Sequence, residues 1–385
     1  MTNWKTYKLG DIAKFQTGKL NSNAAVENGK YPFFTCSPNT LAIDNYAFDK
    51  EAILLAGNNA EGNFSIKYYK GKFNAYQRTY IIETYNDKCD IKFLFYALKL
   101  CLQQFKLMSQ GTSTKFLTAV ILNNFEISLP GLEEQRRIAG ILGAIDDKIE
   151  CNRRINANLE LQAQALYKQW FVDFEFPNEE GKPYKSSGGK MIDTELGPIP
   201  EGWSVGALSD LADITMGQSP NGKSFNENGE GIVFYQGRTE FGIRYPSIRL
   251  YTTEPTRYAE PMSVLLSVRA PVGDINIATQ KCCIGRGVAS IKSKTDDNAY
   301  MYCCLKELRP QLDQYNGEGT VFGSINRKEL EGLALCIPKN EVISQFNNLV
   351  LGMDRQMLNL FQQTQNLATL RDTLLPKLMN GEIKL

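Results

Sequence analysis

Segments of the first half of this chain recur, in the same order, in the second half. Residues 4–18 read WKTYKLGDIAKFQTG and residues 203–217 read WSVGALSDLADITMG. Trp4, Leu9, Asp11, Ala13 and Gly18 return 199 places on as Trp203, Leu208, Asp210, Ala212 and Gly217. The apolar run Ala52–Ala56 has a counterpart in Met262–Val268, and the helical pattern Ile91–Met108 one in Asn298–Tyr315. Gln110-Gly111-Thr112 recurs as Glu318-Gly319-Thr320, and Leu129-Pro130 as Ile337-Pro338. Matches that keep their order predict a duplicated fold, so whatever one half builds the other builds again. The 385 residues are enough for two or three domains at roughly 100–200 residues each.

Each half ends in the same kind of segment. Ile138, Leu142, Ile145, Ile149, Asn152, Asn156, Leu159, Ala163, Leu166 and Trp170 alternate spacings of four and three. Their counterparts 208 places on are Phe346, Val350, Met353, Met357, Leu360, Thr364, Leu367, Arg371, Leu374 and Leu378. That is the a/d seam of a coiled coil. A helix of about 35 residues is about 50 Å long and cannot bury such a stripe within one small domain. Two helices packed on separate domains would also be amphipathic, but a phase shared over five heptads favours pairing with each other. Polar Asn152, Asn156, Thr364 and Arg371 in the seam would fix its register, and Pro376 should end or kink the second helix.

Composition removes whole classes of chemistry. There is no histidine, which excludes Ser-His-Asp and Cys-His catalysis, histidine bases and histidine metal sites. The nine cysteines show no CxxC spacing, which points to buried, reduced thiols. No apolar run reaches the length of a membrane span, and the N-terminal residues lack a signal-peptide core, so a cytoplasmic protein is expected. The net charge of +1 hides an uneven distribution. Residues 1–130 carry +5, residues 131–180 carry −4 and residues 201–338 carry −2. The first globular part therefore offers a basic face. Residues 176–190, FPNEEGKPYKSSGGK, read as a polar loop.

One enzymatic motif matches formally. Gly217-Gln218-Ser219-Pro220-Asn221-Gly222-Lys223-Ser224 fits the phosphate-binding G-x-x-x-x-G-K-[ST] pattern. That chemistry needs a helix beginning directly after the lysine. Phe225-Asn226-Glu227-Asn228-Gly229 cannot sustain one, and Pro220 removes a backbone donor from the cradle. No nucleophile elbow, dinucleotide fingerprint or zincin motif accompanies it.

Planar and cationic donors are the positive signal. Residues 235–258 contain Gln236, Arg238, Arg244, Arg249 and Arg257 among Tyr235, Phe241, Tyr245 and Tyr251, with Arg269 and Arg286 following. The first half has one arginine before residue 130, Arg78, beside Gln77, and uses Lys67, Lys70 and Lys72 instead. Arginine reads guanine bidentately, asparagine and glutamine read adenine, and lysine suits phosphate. Ion pairing with Glu240, Glu254 and Glu260 is the competing use of each arginine.

Residues 195–217, ELGPIPEGWSVGALSDLADITMG, resemble the entry to a target recognition domain in the specificity (S) subunits of type I restriction-modification enzymes. LPGLEEQRRIAGIL (129–142) resembles the start of that family's conserved helix, WFVDFEFP (170–177) its end, and LLPKLMNGEI (374–383) the C-terminal signature. The second helix start, Ile337-Pro338-Lys339-Asn340-Glu341-Val342, departs from the pattern. The resemblance implies an α+β fold of two similar target recognition domains and two long helices in an antiparallel coiled coil with pseudo-twofold symmetry. The recognition domains would span 1–130 and 199–338, the helices 131–175 and 339–385, and a linker 176–198. It also implies that the chain reads a split target in double-stranded DNA. It would scaffold two methyltransferase (M) subunits and motor-nuclease (R) subunits in host defence. S-adenosylmethionine, ATP and Mg would belong to those partners and none to this chain, which would have no catalytic or metal site.

Specificity should lie where the halves differ. The expected DNA contacts are Asn58, Asn59, Lys67, Gln77, Arg78, Ser113, Thr114 and Lys115 in the first half. In the second they are Gln236, Arg238, Arg244, Arg249, Arg269 and Arg286. A nucleotide-hydrolysing enzyme using residues 217–224 and a coiled-coil scaffold that binds only protein are the competing readings.

Overall fold

The computed structural model describes residues 4–85, 87–317 and 323–385, so Glu318-Gly319-Thr320 of the repeat lie outside the described residues. The chain forms two compact units. The first comprises Met1–Cys151 and Thr364–Leu385, and the second Asn152–Gln363. Both long helices therefore contribute residues to both units.

In the first unit the strand Lys5–Lys8 pairs antiparallel with Glu126–Leu129. A single helical turn, Leu9–Ile12, then leads into a six-stranded sheet. Its order is Ala13–Thr17, Thr79–Thr84, Phe48–Ala56, Ile66–Ala75, Tyr31–Phe34, Leu41–Ile43. Helices Ile91–Leu100 and Leu102–Met108 follow. Asp90 caps the first of them by accepting the Phe93 N–H.

The second unit repeats this plan. Ser204–Ala207 pairs with Ala334–Ile337, and the turn Leu208–Leu211 leads into a sheet ordered Ala212–Met216, Val288–Ser293, Val264–Val268, Val272–Ile277. Helices Asn298–Glu307 and Arg309–Asp313 stand where Ile91–Met108 stands in the first unit. One difference is a break. The continuous strand Ile66–Ala75 of the first unit corresponds to two strands here, Val272–Ile277 and Cys282–Ile284. In each unit the later part pairs parallel with an incoming strand, Phe33 with Asn74 and Phe234 with Cys283.

The long helices are Leu132–Tyr167, prolonged by a wider π-helical turn over Lys168–Val172, and Asn340–Met379. The second runs through Pro376 rather than ending there. Its last turn closes at Gly381, whose positive φ lets the Ile383 N–H reach the Lys377 carbonyl. Within each unit the two helices pack antiparallel. Asp146 meets Arg371 in the first unit. In the second, Asn156 donates to the Met357 carbonyl and Trp170 packs edge-on to Phe346. All twenty seam positions are buried or half-buried. Ile138, Leu142, Leu375 and Leu378 share a core cluster with Leu9, Ile53 and Phe93, while Tyr167, Trp170, Phe346 and Val350 share one with Leu208, Val264 and Tyr300.

The segments that carried the family resemblance are structural fasteners. Gln135 of the EEQ motif is buried and donates to the carbonyls of Pro130 and Lys88, while its oxygen accepts the Asp90 N–H. The second helix lacks that glutamine, and there Asn347 accepts the Ala299 N–H at the start of the equivalent helix. Phe176 stacks on Trp203 and Tyr184, so the stretch read as a linker folds back onto the second unit and continues into the hairpin Met191–Thr194 and Gly197–Pro200. Five cysteines are buried and all nine are free. Burial pushes the Cys89 and Cys282 thiols up to about 12.

Candidate nucleic-acid interface

In the first unit the functional candidates collect where the strands of the main sheet end. Asn58 pairs with Phe116 and Asn59 with Lys115 in a short two-stranded ladder. The turn leading to it is tight. Gly111 has φ +106°, and a Cβ there would lie 2.1 Å from the Thr114 carbonyl oxygen. This turn presents exposed Ser113 and half-buried Thr114. Across the rim the Gly57 N–H donates to the Arg78 carbonyl, which sets Gln77 and Arg78 beside Asn58. The Arg78 guanidinium lies 5.2 Å from the centroid of the Phe116 ring. Gln77 is exposed and donates to Asn21.

Two members of the group are partly engaged in the fold. The Asn59 side-chain oxygen accepts the N–H groups of Glu61 and Asn63, so it closes a loop. Lys67 is half-buried and donates to the Ser37 carbonyl at 2.9 Å. Burial pulls its ammonium down, against an opposing pull from the Cys36 thiol. That thiol in turn donates to the Asn58 side-chain oxygen. All the first-half candidates therefore fall on one rim, together with Cys36 and Phe116.

The second-half candidates separate into two groups. Arg244, expected among the DNA contacts, is held inside the fold instead. It is buried, ion-paired with Glu160 and, at 2.6 Å, with Asp354, and it lies over the Tyr302 ring at 4.2 Å. Lys306 completes the cluster on Glu160 at 2.7 Å. A guanidinium in apolar surroundings must be paired, and here the partners come from the long helices, far away in sequence. Burial pushes the Glu160 carboxyl up, but Arg244 and Lys306 pull it further down, while Asp354 stays raised. Arg238 and Arg249 are half-exposed but held by carboxylates, Arg238 by Asp274 at 2.7 Å and Arg249 by buried Glu240 at 2.5 Å. The local partner Glu240 was visible in the sequence, whereas Asp274 and Glu160 were not.

Gln236, Arg269 and Arg286 form the other group, all exposed. Val268 N–H donates to the Gly287 carbonyl, and Gly285 N–H to the Tyr235 carbonyl, which draws the three together. Arg286 is fixed through its backbone N–H, which donates to the Ser219 hydroxyl. Arg257 belongs here as well, since its carbonyl accepts the Ile284 N–H. It stood among the arginines of the sequence without being singled out. The side chains of Arg257, Arg269 and Arg286 make no ion pair among the described residues.

The residues of the phosphate-loop pattern serve the sheet. A 3₁₀ turn, Gly222–Ser224, is followed by a strand, Phe225–Asn226, and no helix begins there. Gly217 repeats Gly18. A Cβ at either would lie about 2 Å from a carbonyl oxygen, 1.9 Å from that of Ala75 at Gly18 and 2.2 Å from that of Gly285 at Gly217. Among the described residues no group of acidic or cysteine side chains could hold a metal ion, and no helix is long and apolar enough to cross a membrane.

Comparison with known proteins places these features in context. Residues 1–161 and 200–365 each match the model of the type I restriction modification DNA specificity domain. The chain is 28% identical to the EcoDI type I restriction enzyme specificity subunit of Escherichia coli, across 99% of this chain and 88% of that one. It is 35% identical to a chain assigned as the MjaX type I restriction enzyme specificity subunit of Methanocaldococcus jannaschii, across 71% of this chain and 59% of that one. The fold is similar to that of the S subunit of a type I restriction-modification system from M. genitalium. The TM-score is 0.65 at 17% identity, with 98% of this chain and 96% of that chain covered.

Proposed function

The chain belongs to the type I restriction-modification DNA specificity family, and from that premise we propose that it reads a split target in double-stranded DNA. Each unit reads one part. The observation that carries this reading is the duplicated rim, built on one framework but furnished with different polar side chains in the two units. A protein that bound DNA by charge alone would have no use for that difference, because phosphate contacts carry no sequence information.

The long helices join the two reading heads and offer the scaffold on which two methyltransferase subunits and motor-nuclease subunits assemble. Catalysis is assigned to those partners. S-adenosylmethionine, ATP and Mg would bind to them. The missing histidines and the sheet-bound phosphate-loop pattern support a chain whose work is recognition. This reading is tested by co-expressing the chain with its methyltransferase subunits and mapping methylated adenines in the exposed DNA. A split motif with a fixed spacer is the expected result. Methylation without a motif, or nucleotide turnover by the isolated chain that is lost on Lys223→Ala, would sink it.

A further inference from the structure

The two rims share a set of corresponding backbone hydrogen bonds, which allows their residues to be matched without reference to sequence similarity. Gly18 N–H donates to the Thr79 carbonyl, as Gly217 N–H does to that of Val288. Tyr76 N–H donates to the Phe34 carbonyl, as Gly285 N–H does to that of Tyr235. Gly57 N–H donates to the Arg78 carbonyl, as Val268 N–H does to that of Gly287. Leu117 N–H donates to the Gly57 carbonyl, as Ile325 N–H does to that of Val268. Finally, Asn58 pairs with Phe116 as Arg269 bridges to Ser324. Stepping along these bonds, Asn58 corresponds to Arg269, and Gln77 to Arg286.

At both matched positions an amide in the first unit is a guanidinium in the second. The framework is the same, so the side chains start from the same place on the rim. The chemistry they offer is different. A carboxamide presents one donor and one acceptor, the complement of adenine's N6 and N7 in the major groove. A guanidinium presents only donors, the complement of guanine's O6 and N7. The second-unit arginines are exposed and make no ion pair among the described residues, unlike Arg238, Arg244 and Arg249.

We propose that the two heads read opposite purines at this shared position, adenine in the first through Asn58 and Gln77 and guanine in the second through Arg269 and Arg286. The inference rests on the reading of the chain as a DNA specificity subunit. It adds which base each rim selects and which residues select it.

The test selects duplexes from a library randomised in both half-sites, using the full chain assembled with its methyltransferase subunits. The wild-type complex is expected to select a split motif with adenine favoured in one half and guanine in the other. Arg286→Gln, and separately Arg269→Asn, should reduce the guanine preference at one position of one half-site by roughly 5- to 150-fold. The other half-site should not change. If either variant fails to assemble, Gln77→Arg on the exposed first rim asks the same question in reverse, and should turn an adenine preference towards guanine. A selected motif that stays the same while binding falls for every sequence, with the salt slope reduced by about one, makes these residues phosphate contacts and overturns the proposal. In that case the split motif of the wild type still stands. A wild-type complex that selects no motif defeats the specificity-subunit reading itself, and the proposal with it.

Discussion

Asp146 and Asp354 lie 208 residues apart, at the same step of the two long helices, and each receives an arginine from a different source. Arg371, on the other long helix, reaches Asp146 at 2.7 Å. Arg244, on a loop of the second recognition head, reaches Asp354 at 2.6 Å and also holds Glu160. Asp146 also accepts the Tyr96 hydroxyl of the first head at 2.7 Å, so the duplicated carboxylate ties helix to head in both units, through a tyrosine in the first and an arginine in the second. The second head is held to its helices by a buried arginine, where the first uses a neutral hydroxyl at the same helical step.

Replacing Arg244 should therefore cost stability well beyond an ordinary surface change. Arg244→Met keeps much of the volume but leaves Asp354 buried without its arginine and Glu160 with Lys306 and the Gln164 amide. Breaking a buried pair in this way costs about 3–5 kcal/mol. Urea unfolding of the full chain measures it. A loss below about 1 kcal/mol would show that the cluster contributes nothing net.

The same cluster predicts how that loss depends on pH. In the native chain the Glu160 carboxyl lies below its ordinary value, because Arg244 and Lys306 more than offset its burial. Its contribution is present above the unfolded value and disappears as pH falls through the folded one. In Arg244→Met the buried carboxylates lose their main cation, so their folded values rise and protonation relieves them. The gap in stability between wild type and variant should narrow between about pH 7 and about pH 4. A gap that widens on acidification would place the strain elsewhere.

Arg244 also shows where sequence reading stops. Periodicity located both long helices, because seam residues recur at fixed spacing and burial follows from that spacing. The repeat anticipated two similar heads, since Trp203, Leu208 and Gly217 repeat the packing of Trp4, Leu9 and Gly18. In the first rim Asn58, Gln77 and Arg78, chosen as polar donors where the halves differ, lie side by side. In the second head an arginine has the same appearance in sequence whether its partner is a base or a carboxylate 110 residues away, as Asp354 is from Arg244. Only the fold distinguishes Arg244, which is buried, from Arg269 and Arg286, which are not.

That distinction sets the boundaries for exchanging recognition heads. Residues 152–363 form the compact unit, not 201–338. Transplanting the unit from another family member should give a complex that alters one half of its target. Transplanting only the segment equivalent to 201–338 should succeed where the incoming segment keeps an arginine at position 244, and give unstable protein where it does not. Thermal melting and methylation mapping of a small panel of exchanges check both outcomes. A change in both halves of the target would refute separate heads.

Gly18 and Gly217 give a direct comparison between structural and phosphate-binding roles. A methyl group at either meets a backbone carbonyl that cannot swing away, so Gly18→Ala and Gly217→Ala should each cost about 1–3 kcal/mol. Lys223 is exposed, and Lys223→Ala should leave the melting temperature unchanged. Were the segment a nucleotide cradle, the lysine variant would instead lose ATP-dependent stabilisation, which differential scanning fluorimetry with and without ATP would detect.

The helix seam is open to a test that changes phase without changing composition on either side. A two-residue insertion after Leu159 turns the remainder of the first long helix by about 200° at 100° per residue. Glu160, Ala163 and Tyr167, now buried, would rotate towards solvent, and exposed residues such as Leu161 would take their place. Arg244 would lose Glu160, and the aromatic contact of Tyr167 with Phe346 would be lost as well. The combined penalty is on the order of 5 kcal/mol, comparable with the whole stability of many domains. The insertion should therefore lower the melting temperature sharply and prevent co-purification with the methyltransferase subunits. Leu161→Gln, on the exposed side of the same turn, should do neither. If the insertion variant melts normally and still carries its partners, the seam does not hold the heads to the helices, and the pairing of the two long helices is incidental to assembly.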